Sequence, residues 1–307
     1  MALSKFLDPK NDVAFRQIFG IEAHKHILIH FINDVLELEG NSQIEEVTFI
    51  SPIQNPVIAS KKESIVDVLC TDKSGIQIIV EMQVKPTKGF EKRAQYYAAK
   101  AYARQLNKGQ EEDGKYYNLK EVVFIAIADY IVFPDKVGFK SDHIVLDKKT
   151  NEHDLQDFYF TFIELPKFKK KAIHELETIL DKWCYFFKYA EATSEADQAT
   201  IAASCKAIGD AYEAVNQFNW TPEELAAYEE EVKRIWDNQA ALEYQLDKVK
   251  NEGMEKGRQE GREEGREEGR HEEKINTAKN MLAKNSDLDF ISEITGLSIS
   301  QIKSLRQ

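Results

Sequence analysis

The most restrictive feature of this sequence is an almost uninterrupted apolar run, EVVFIAIA, from Glu121 to Ala128. Such a short apolar run is typical of a β-strand that is covered on both faces. Residues 11–38 and 90–106 instead carry apolar residues at three- and four-residue spacing, which is the helical period. The first half of the chain is therefore predicted to mix buried strands with helices.

Turn and breaker residues divide this first half into further elements. Gly20 is predicted to separate the first two helices. The segment 71–75 has turn chemistry and lies between two β-branched runs, which predicts a β-hairpin of Ser64–Thr71 and Ile76–Lys85. Two predicted elements follow, a helix at Phe90–Leu106 and a strand at Tyr159–Leu165.

The second half of the chain shows only helical periodicity, beginning near Ile173. A start signal at residues 221–224 opens a long helix that is predicted to run to Val249. Its apolar stripe is expected to be more than one chain buries alone. The residues of that stripe are Leu225, Tyr228, Val232, Ile235 and Trp236.

Five glycines spaced by four, from Gly253 to Gly269, follow that helix. Each glycine destabilises a helix by about 1 kcal/mol relative to alanine, whereas each exposed Glu–Arg pair stabilises it by only a few tenths of a kcal/mol. The segment is therefore predicted to be either a flexible linker or a helix held by close packing against another helix. The predicted division of the chain is residues 1–235 as a nuclease-like domain, 236–275 as the long helix and repeat, and 276–307 as a small helical unit.

The charge of the chain is unevenly distributed. The formal net charge is -12, yet residues 1–110 hold 14 basic and 13 acidic side chains, so the acidic excess lies later in the chain. The first third is the part that can approach a phosphate backbone without a large opposing field. No apolar run has the length of a membrane span and the first residues lack a signal-peptide pattern, so we expect a cytoplasmic protein that contacts no membrane.

Two carboxylates stand where strands rarely hold them. Asp67 lies in the apolar stretch SIVDVLC, and Glu81 lies in IQIIVEMQV. Burying an unpaired charge is costly, so two such residues in facing strands require an explanation. Counting back from the turn puts Asp67 opposite Val80 or Glu81, which predicts carboxylates about 5–8 Å apart. Alternation along the strand puts Gln83 and Lys85 on the same face as Glu81.

Paired carboxylates on strands favour a hard divalent cation. Mg²⁺ binds through one or two carboxylates together with waters and substrate phosphate, and Mn²⁺ is an alternative. Such a metal activates water for phosphodiester hydrolysis. The alternative interpretation is that Asp67 and Glu81 face solvent on a half-exposed hairpin, or that they pair with Lys92 and Arg93.

Several motifs occur together in a fairly specific order and spacing. They are Asp8-Pro9-Lys10-Asn11-Asp12-Val13-Ala14-Phe15-Arg16 with Phe19-Gly20, Asp67 in its strand, Glu81-x-Gln83 in the next strand, and Arg93-x-x-Tyr96-Tyr97 in the following helix. With these motifs the chain resembles the Rpn recombination-promoting nucleases, also labelled putative transposases, of the PD-(D/E)XK nuclease superfamily. The glycine repeat and the terminal segment 294–298 also look like the tail of that family.

The resemblance implies a fold and an activity. The implied fold is an α/β (mixed α+β) restriction-endonuclease-like core, in which helices flank a mixed sheet, followed by a long helical C-terminal half. The implied activity is metal-dependent DNA cleavage. Asp67 and Glu81 correspond to the two metal-binding acids, and Asp12 corresponds to the upstream acidic position of the family.

This sequence departs from the superfamily pattern at Gln83, where that pattern has lysine. A glutamine orients a water by hydrogen bonding but supplies no positive charge. Lys85 or Lys100 is a candidate for the missing charge, with a solvated surface lysine as the alternative in each case. Arg93 is suited to bind a substrate phosphate through two parallel hydrogen bonds.

The sequence thus predicts a Mg²⁺-dependent DNA endonuclease that associates with itself through its C-terminal tail. The competing hypothesis is a non-catalytic protein that keeps the nuclease fold and acts as an oligomeric binding or assembly module. The terminal pair of helices around residues 295–298 is interpreted either as a helix-turn-helix that contacts DNA or as a cap or oligomerisation element.

Overall fold

The computed structural model describes residues 4–51, 53–54, 64–106 and 116–305. The helices are α1 (Asp12–Phe19), α2 (Lys25–Leu36), α3 (Phe90–Arg104), α4 (Ile179–Tyr189), α5 (Glu195–Ser204), α6 (Lys206–Ala214), α7 (Pro222–Ala283), α8 (Leu288–Thr295) and α9 (Ile299–Ser304). The strands are β1 (Val47–Phe49), β2 (Ile53–Gln54), β3 (Ser64–Ile65), β4 (Val68–Asp72), β5 (Gln77–Gln83), β6 (Val122–Ala128), β7 (Lys140–Ile144) and β8 (Phe158–Glu164).

Six of the described strands form one mixed sheet in the order β1-β4-β5-β6-β8-β7. The β4 and β5 strands pair antiparallel as a hairpin, with Val68 opposite Val80. The central strands β5, β6 and β8 run parallel, and β7 pairs antiparallel with β8 at one edge. The remaining strands that the structure describes, β2 and β3, pair antiparallel with each other. This mixed sheet with flanking helices confirms the predicted fold class.

The sheet is covered on both faces, as the apolar run of β6 predicts. Every residue of β6 is buried. Alternate residues of β5 and β6 enter two different cores, so that Val80 packs with α1, α2 and α4, whereas Ile79 packs with α3. Because Glu81 is two residues from Ile79, strand alternation directs it toward the α3 side of the sheet.

Two differences from the sequence-based elements concern strands. The predicted strand Ser64–Thr71 is interrupted, since β3 ends at Ile65 and β4 begins at Val68. Asp67 therefore lies in a bend between two strands and not inside one. The edge strand β7 has no apolar alternation, because its sequence KSDHI is mostly polar and partly exposed, and the sequence pattern did not predict it.

The glycine repeat is helical in the structure, which corrects the flexible-linker alternative. A single helix, α7, runs from Pro222 to Ala283 through all five glycines. None of the glycines has a described atom within 4 Å of the place where a Cβ would stand, so the packed-helix alternative is not realised within this chain either. Good helix formers such as Glu, Arg, Lys and Gln fill the intervening positions.

The apolar stripe at the start of α7 is partly covered by the chain itself. Tyr228 is buried, and Leu225 and Val232 pack against the main core. Trp236, the last residue of the predicted stripe, is 70% exposed, so the stripe is covered in the first turns of α7 and exposed at Trp236.

The chain divides into two compact units, Met1–Lys233 and Arg234–Gln307. The second unit contains a small core of its own, formed by Ala278, Ile291, Leu297 and Ile302. Its helices α8 and α9 are separated at Gly296, whose φ of +70° suits glycine, as the sequence predicts. Among the residues that the structure describes, no helix combines the length and apolar character of a membrane span.

Candidate active site

Asp67 and Glu81 face each other where the β4–β5 hairpin opens. The register that pairs Val68 with Val80 puts Asp67 opposite Glu81, one step beyond the ladder. The Asp67 backbone N–H donates to Glu81 Oε2 at 3.1 Å, and the Met82 N–H donates to Asp67 Oδ2 at 2.8 Å. Each carboxylate thus accepts a hydrogen bond from the backbone of the opposite chain segment, which fixes both side chains in the opening.

Both carboxyl groups are shielded from water, which removes the solvent-facing alternative. The Glu81 side chain is 6% exposed and that of Asp67 is 14% exposed. Burial raises the pKa of Asp67, and the nearby charge of Asp12 raises it further. Burial also raises the pKa of Glu81, and the charge of Asp67 adds to that effect. Raised carboxyl pKa values from burial and like charge are frequent at functional sites.

Gln83 and Arg93 complete the α3 side of this pair. Gln83 Nε2 donates to Glu81 Oε1 at 3.1 Å, in agreement with the predicted shared face. Arg93 Nη2 donates to Gln83 Oε1 and lies 3.8 Å from Glu81 Oε1. The pairing of Glu81 with Arg93, which the sequence left open, is therefore present, and it occurs at the paired acids themselves.

Helix α1 brings its first turns to the other side of the acids. The Asn11 side chain accepts from the backbone N–H groups of Val13 and Ala14, which caps the helix and sets its start at Asp12. The negative charge of Asp12 contributes to the raised pKa values of both Asp67 and Glu81. One turn after Asp12, Arg16 Nη2 lies 4.0 Å from Asp67 Oδ1.

Lys10 links the N-terminal motif to the end of the sheet at which Gln83 lies. Its Nζ lies 2.8 Å from Asp129 Oδ2, and the Asp129 backbone N–H donates to the Gln83 carbonyl at 2.9 Å. Neither this link nor the contact of Arg16 with Asp67 was singled out from the sequence. Lys10 and Arg16 both belong to the motif around Asp12, so that motif is the sequence feature that could have indicated these contacts.

The lysines considered for the missing charge lie farther along the chain. Lys85 follows the last residue of β5 by two positions, and the paired register of that strand does not reach it. Lys100 lies two turns beyond Arg93 on α3, with its Nζ 5.9 Å from the ring centroid of Tyr96. Their roles at the site remain predictions.

The donor set fits a hard divalent cation of the Mg²⁺ type. Asp67 and Glu81 supply carboxylate oxygens, and Mg²⁺ binds proteins through one or two carboxylates while keeping several waters. Asp67 and Glu81 would hold such a cation through their carboxylates; at present Asp67 Oδ1 lies 4.0 Å from Arg16 Nη2, and Glu81 Oε1 accepts from Gln83 Nε2. The described residues hold no cluster of three or more His, Cys, Asp and Glu side chains arranged for a metal.

The comparison with known families agrees with this geometry. The sequence model of the PD-(D/E)XK nuclease family transposases matches residues 9–245. The chain belongs to this family. No curated protein and no solved structure matches the chain.

Membership in the PD-(D/E)XK family confirms the resemblance to nuclease-type transposases and supports a nuclease-type function. PD-(D/E)XK nucleases generally use divalent metals. The matched range includes the whole candidate site, from Lys10 and Asp12 through Asp67 and Glu81 to Arg93.

Proposed function

We propose that this PD-(D/E)XK protein is a Mg²⁺-dependent DNA endonuclease, with Mn²⁺ as an alternative metal. The observation that carries the proposal is the pairing of Asp67 with Glu81, two carboxylates that are largely shielded from water and are held across the opening of one hairpin by reciprocal backbone hydrogen bonds. A purely structural role would not need two like charges in this place, because their desolvation and mutual repulsion cost free energy unless a cation is bound.

The residues of the site take distinct roles in this proposal. Asp67 and Glu81 bind the metal directly, and Asp12 at the start of α1 adds negative charge and orients a water of the metal. A bound Mg²⁺ supplies an activated water and neutralises charge on the phosphoryl group. Gln83 orients the attacking water by hydrogen bonding through its side-chain amide. Lys85 is retained as a candidate cation beyond β5.

Arg93 binds the phosphate of the DNA strand in the same proposal. Its guanidinium is next to Gln83 and Glu81, and a planar guanidinium matches two phosphate oxygens at once. The near neutrality of residues 1–110 favours approach of a polyanion to this end of the sheet. The match to transposases of this nuclease family supports DNA as the substrate class.

Self-association through the tail is the second part of the proposal. Leu242, Leu246 and Val249 on α7 are each more than half exposed, and their spacing of four and three is that of a coiled-coil seam. The glycines from Gly253 to Gly269 continue from this seam. Positions four apart drift only about 40° around a helix, so the glycines form a slowly winding groove that a second copy of α7 fits.

The metal site is tested by calorimetric titration of Mn²⁺ into the full chain. We expect Asp67→Asn and Glu81→Gln each to weaken binding at least about tenfold, because each change removes one direct ligand. Asp154→Asn, which changes an exposed acid, serves as the control for net charge. Gln83→Ala is expected to leave the affinity nearly unchanged.

Two outcomes would change the proposal, one by favouring its competitor and one by adding a ligand. Equal Mn²⁺ affinity in the wild type, Asp67→Asn and Glu81→Gln would remove these acids as ligands and favour the non-catalytic assembly module. A large loss of affinity in Gln83→Ala would show instead that the side-chain carbonyl of Gln83 is itself a ligand.

A further inference from the structure

We propose that Arg93, held in place by Gln83, supplies the positive charge that a lysine supplies in the superfamily pattern. This inference rests on the proposed nuclease function and assigns a cation to its site. It replaces Lys85 and Lys100 as the source of that charge.

The contact between Gln83 and Arg93 is the first observation. Gln83 stands at the position where the superfamily pattern has lysine, and its Oε1 accepts a hydrogen bond from Arg93 Nη2. The same Nη2 atom lies 3.8 Å from Glu81 Oε1. The guanidinium of Arg93 is thus hydrogen-bonded to Gln83, which stands at the lysine position of the superfamily pattern. It lies on the same face of the sheet as Glu81, the proposed metal ligand.

The position of the guanidinium is fixed by aromatic contacts. The Arg93 Cζ atom lies 5.1 Å from the ring centroid of Phe90 and 5.8 Å from that of Tyr97, both on α3. Phe90 is itself buried in the core between α3 and the sheet. A cation held against two ring faces loses less conformational entropy when it binds an anion than a lysine on a solvated surface does.

Arg93 also has donor capacity to spare. Its Nε is buried and has no hydrogen-bond partner among the residues that the structure describes. A guanidinium carries five N–H groups, and the whole side chain is 31% exposed, so a ligand oxygen can reach it. The exposed part of the guanidinium therefore offers N–H groups that can donate to a phosphate oxygen.

The charge of the site requires such a cation. Asp12, Asp67 and Glu81 are all acidic, and the phosphodiester brings a further negative charge that grows in the transition state. In the reaction the water oxygen bonds to phosphorus, the bond from phosphorus to the leaving sugar oxygen breaks, the water gives a proton to solvent, and the leaving oxygen takes one from solvent. Arginine stays protonated throughout, so Arg93 stabilises charge and transfers no proton.

The test measures steady-state cleavage of plasmid DNA in Mg²⁺ by six variants of the full chain. They are Arg93→Ala, Gln83→Lys, the double variant of both, Lys85→Ala, Lys100→Ala, and Lys92→Ala as an adjacent exposed cation on α3. We expect Arg93→Ala to lower kcat on the order of 10²-fold, with KM changed less than about threefold, because the charge acts mainly in the transition state.

Rescue separates this role from a structural one. In the Arg93→Ala background, Gln83→Lys is expected to restore kcat at least about tenfold, since it puts an ammonium where the superfamily pattern has one. Lys92→Ala is expected to cleave as the wild type does. Circular dichroism and Mn²⁺ affinity of Arg93→Ala should match the wild type.

Three outcomes would overturn the inference. The first is full kcat in Arg93→Ala, and the second is a loss in Lys85→Ala or Lys100→Ala as large as in Arg93→Ala without rescue by Gln83→Lys. In both cases the wild type cleaves DNA, so the proposed function survives. The third is a wild type without metal-dependent cleavage, which removes the proposed function and this inference together.

Discussion

At the scale of single residues, the site is built from side chains that replace missing strand contacts. Asp67 lies in the gap between β3 and β4. Its carboxylate accepts a hydrogen bond from the Met82 N–H, which in a continuous strand pair would donate to a backbone carbonyl. Glu81 does the same for the Asp67 N–H. The two acids therefore stabilise the opening by hydrogen bonding while destabilising it by burial of charge, and the balance depends on pH.

The first prediction concerns the stability of the metal-free protein. Because burial raises the pKa of Asp67 and of Glu81, ionising them costs more in the folded chain than in the unfolded chain. The folded state then holds more protons, so its stability falls as the pH rises above the ordinary carboxyl range and through the raised pKa values. We expect Asp67→Asn in EDTA to match the wild type near about pH 3.5, below the ordinary carboxyl pKa, and to exceed it by about 1–3 kcal/mol near about pH 8.5.

Urea unfolding of both proteins at the two pH values measures this difference. The asparagine side chain introduced by Asp67→Asn keeps an oxygen that accepts the Met82 N–H, so the variant isolates the effect of charge. A difference in unfolding free energy that shrinks as the pH rises would contradict the raised pKa values.

The sequence identified most of the site because burial of carboxylates leaves a clear signal. Asp67, Glu81 and Gln83 stand out as polar residues within apolar runs, and the structure brings them together. Arg16 and Lys10 carry no such signal, since a cationic residue on a short helix or loop is ordinary. Their partners, Asp67 and Asp129, are distant in sequence, and only the folded chain shows those contacts.

At the scale of elements, apolar periodicity predicted the helices and strands with buried apolar faces, but it did not predict the partly exposed strand β7. The helix α3 and the strand β6 follow the predicted ranges closely, because their buried faces are apolar. The edge strand β7 was missed because its partner β8 supplies the pairing and solvent accepts its polar side chains. The helix α7 extends through the glycines, although each glycine costs a helix about 1 kcal/mol relative to alanine.

The second prediction concerns the glycine face of α7. If a second copy packs there, added methyl groups prevent the close approach of the two backbones, so Gly257→Ala, Gly261→Ala and Gly265→Ala combined should weaken self-association at least about tenfold. Multi-angle light scattering over a concentration series measures the mass of the full chain. Glu264→Ala, which adds no bulk, is the control.

The opposite result is equally specific. Each of these glycines has open space around it within one chain. In a solvated helix, three alanines would stabilise the helical state by about 1 kcal/mol each and raise the helical content without changing the mass. Unchanged mass with higher ellipticity would therefore remove the glycine groove as an interface.

At the scale of the whole molecule, the nuclease-type chemistry and the proposed association belong to different parts of the chain. The unit Met1–Lys233 contains every residue assigned to the site, and the unit Arg234–Gln307 contains the exposed seam and the glycine repeat. The family match over residues 9–245 covers the site and ends before the glycines. Cleavage is therefore expected to depend on the acids of the first unit.

The most direct test of that claim is nicking of supercoiled plasmid DNA by the purified full chain in Mg²⁺ and in EDTA. We expect nicking by the wild type and by Asp154→Asn in Mg²⁺, no nicking in EDTA, and a loss of at least about 100-fold in Asp67→Asn and Glu81→Gln, with circular dichroism unchanged. Nicking that persists in EDTA, or that is undiminished in either variant, would contradict this expectation.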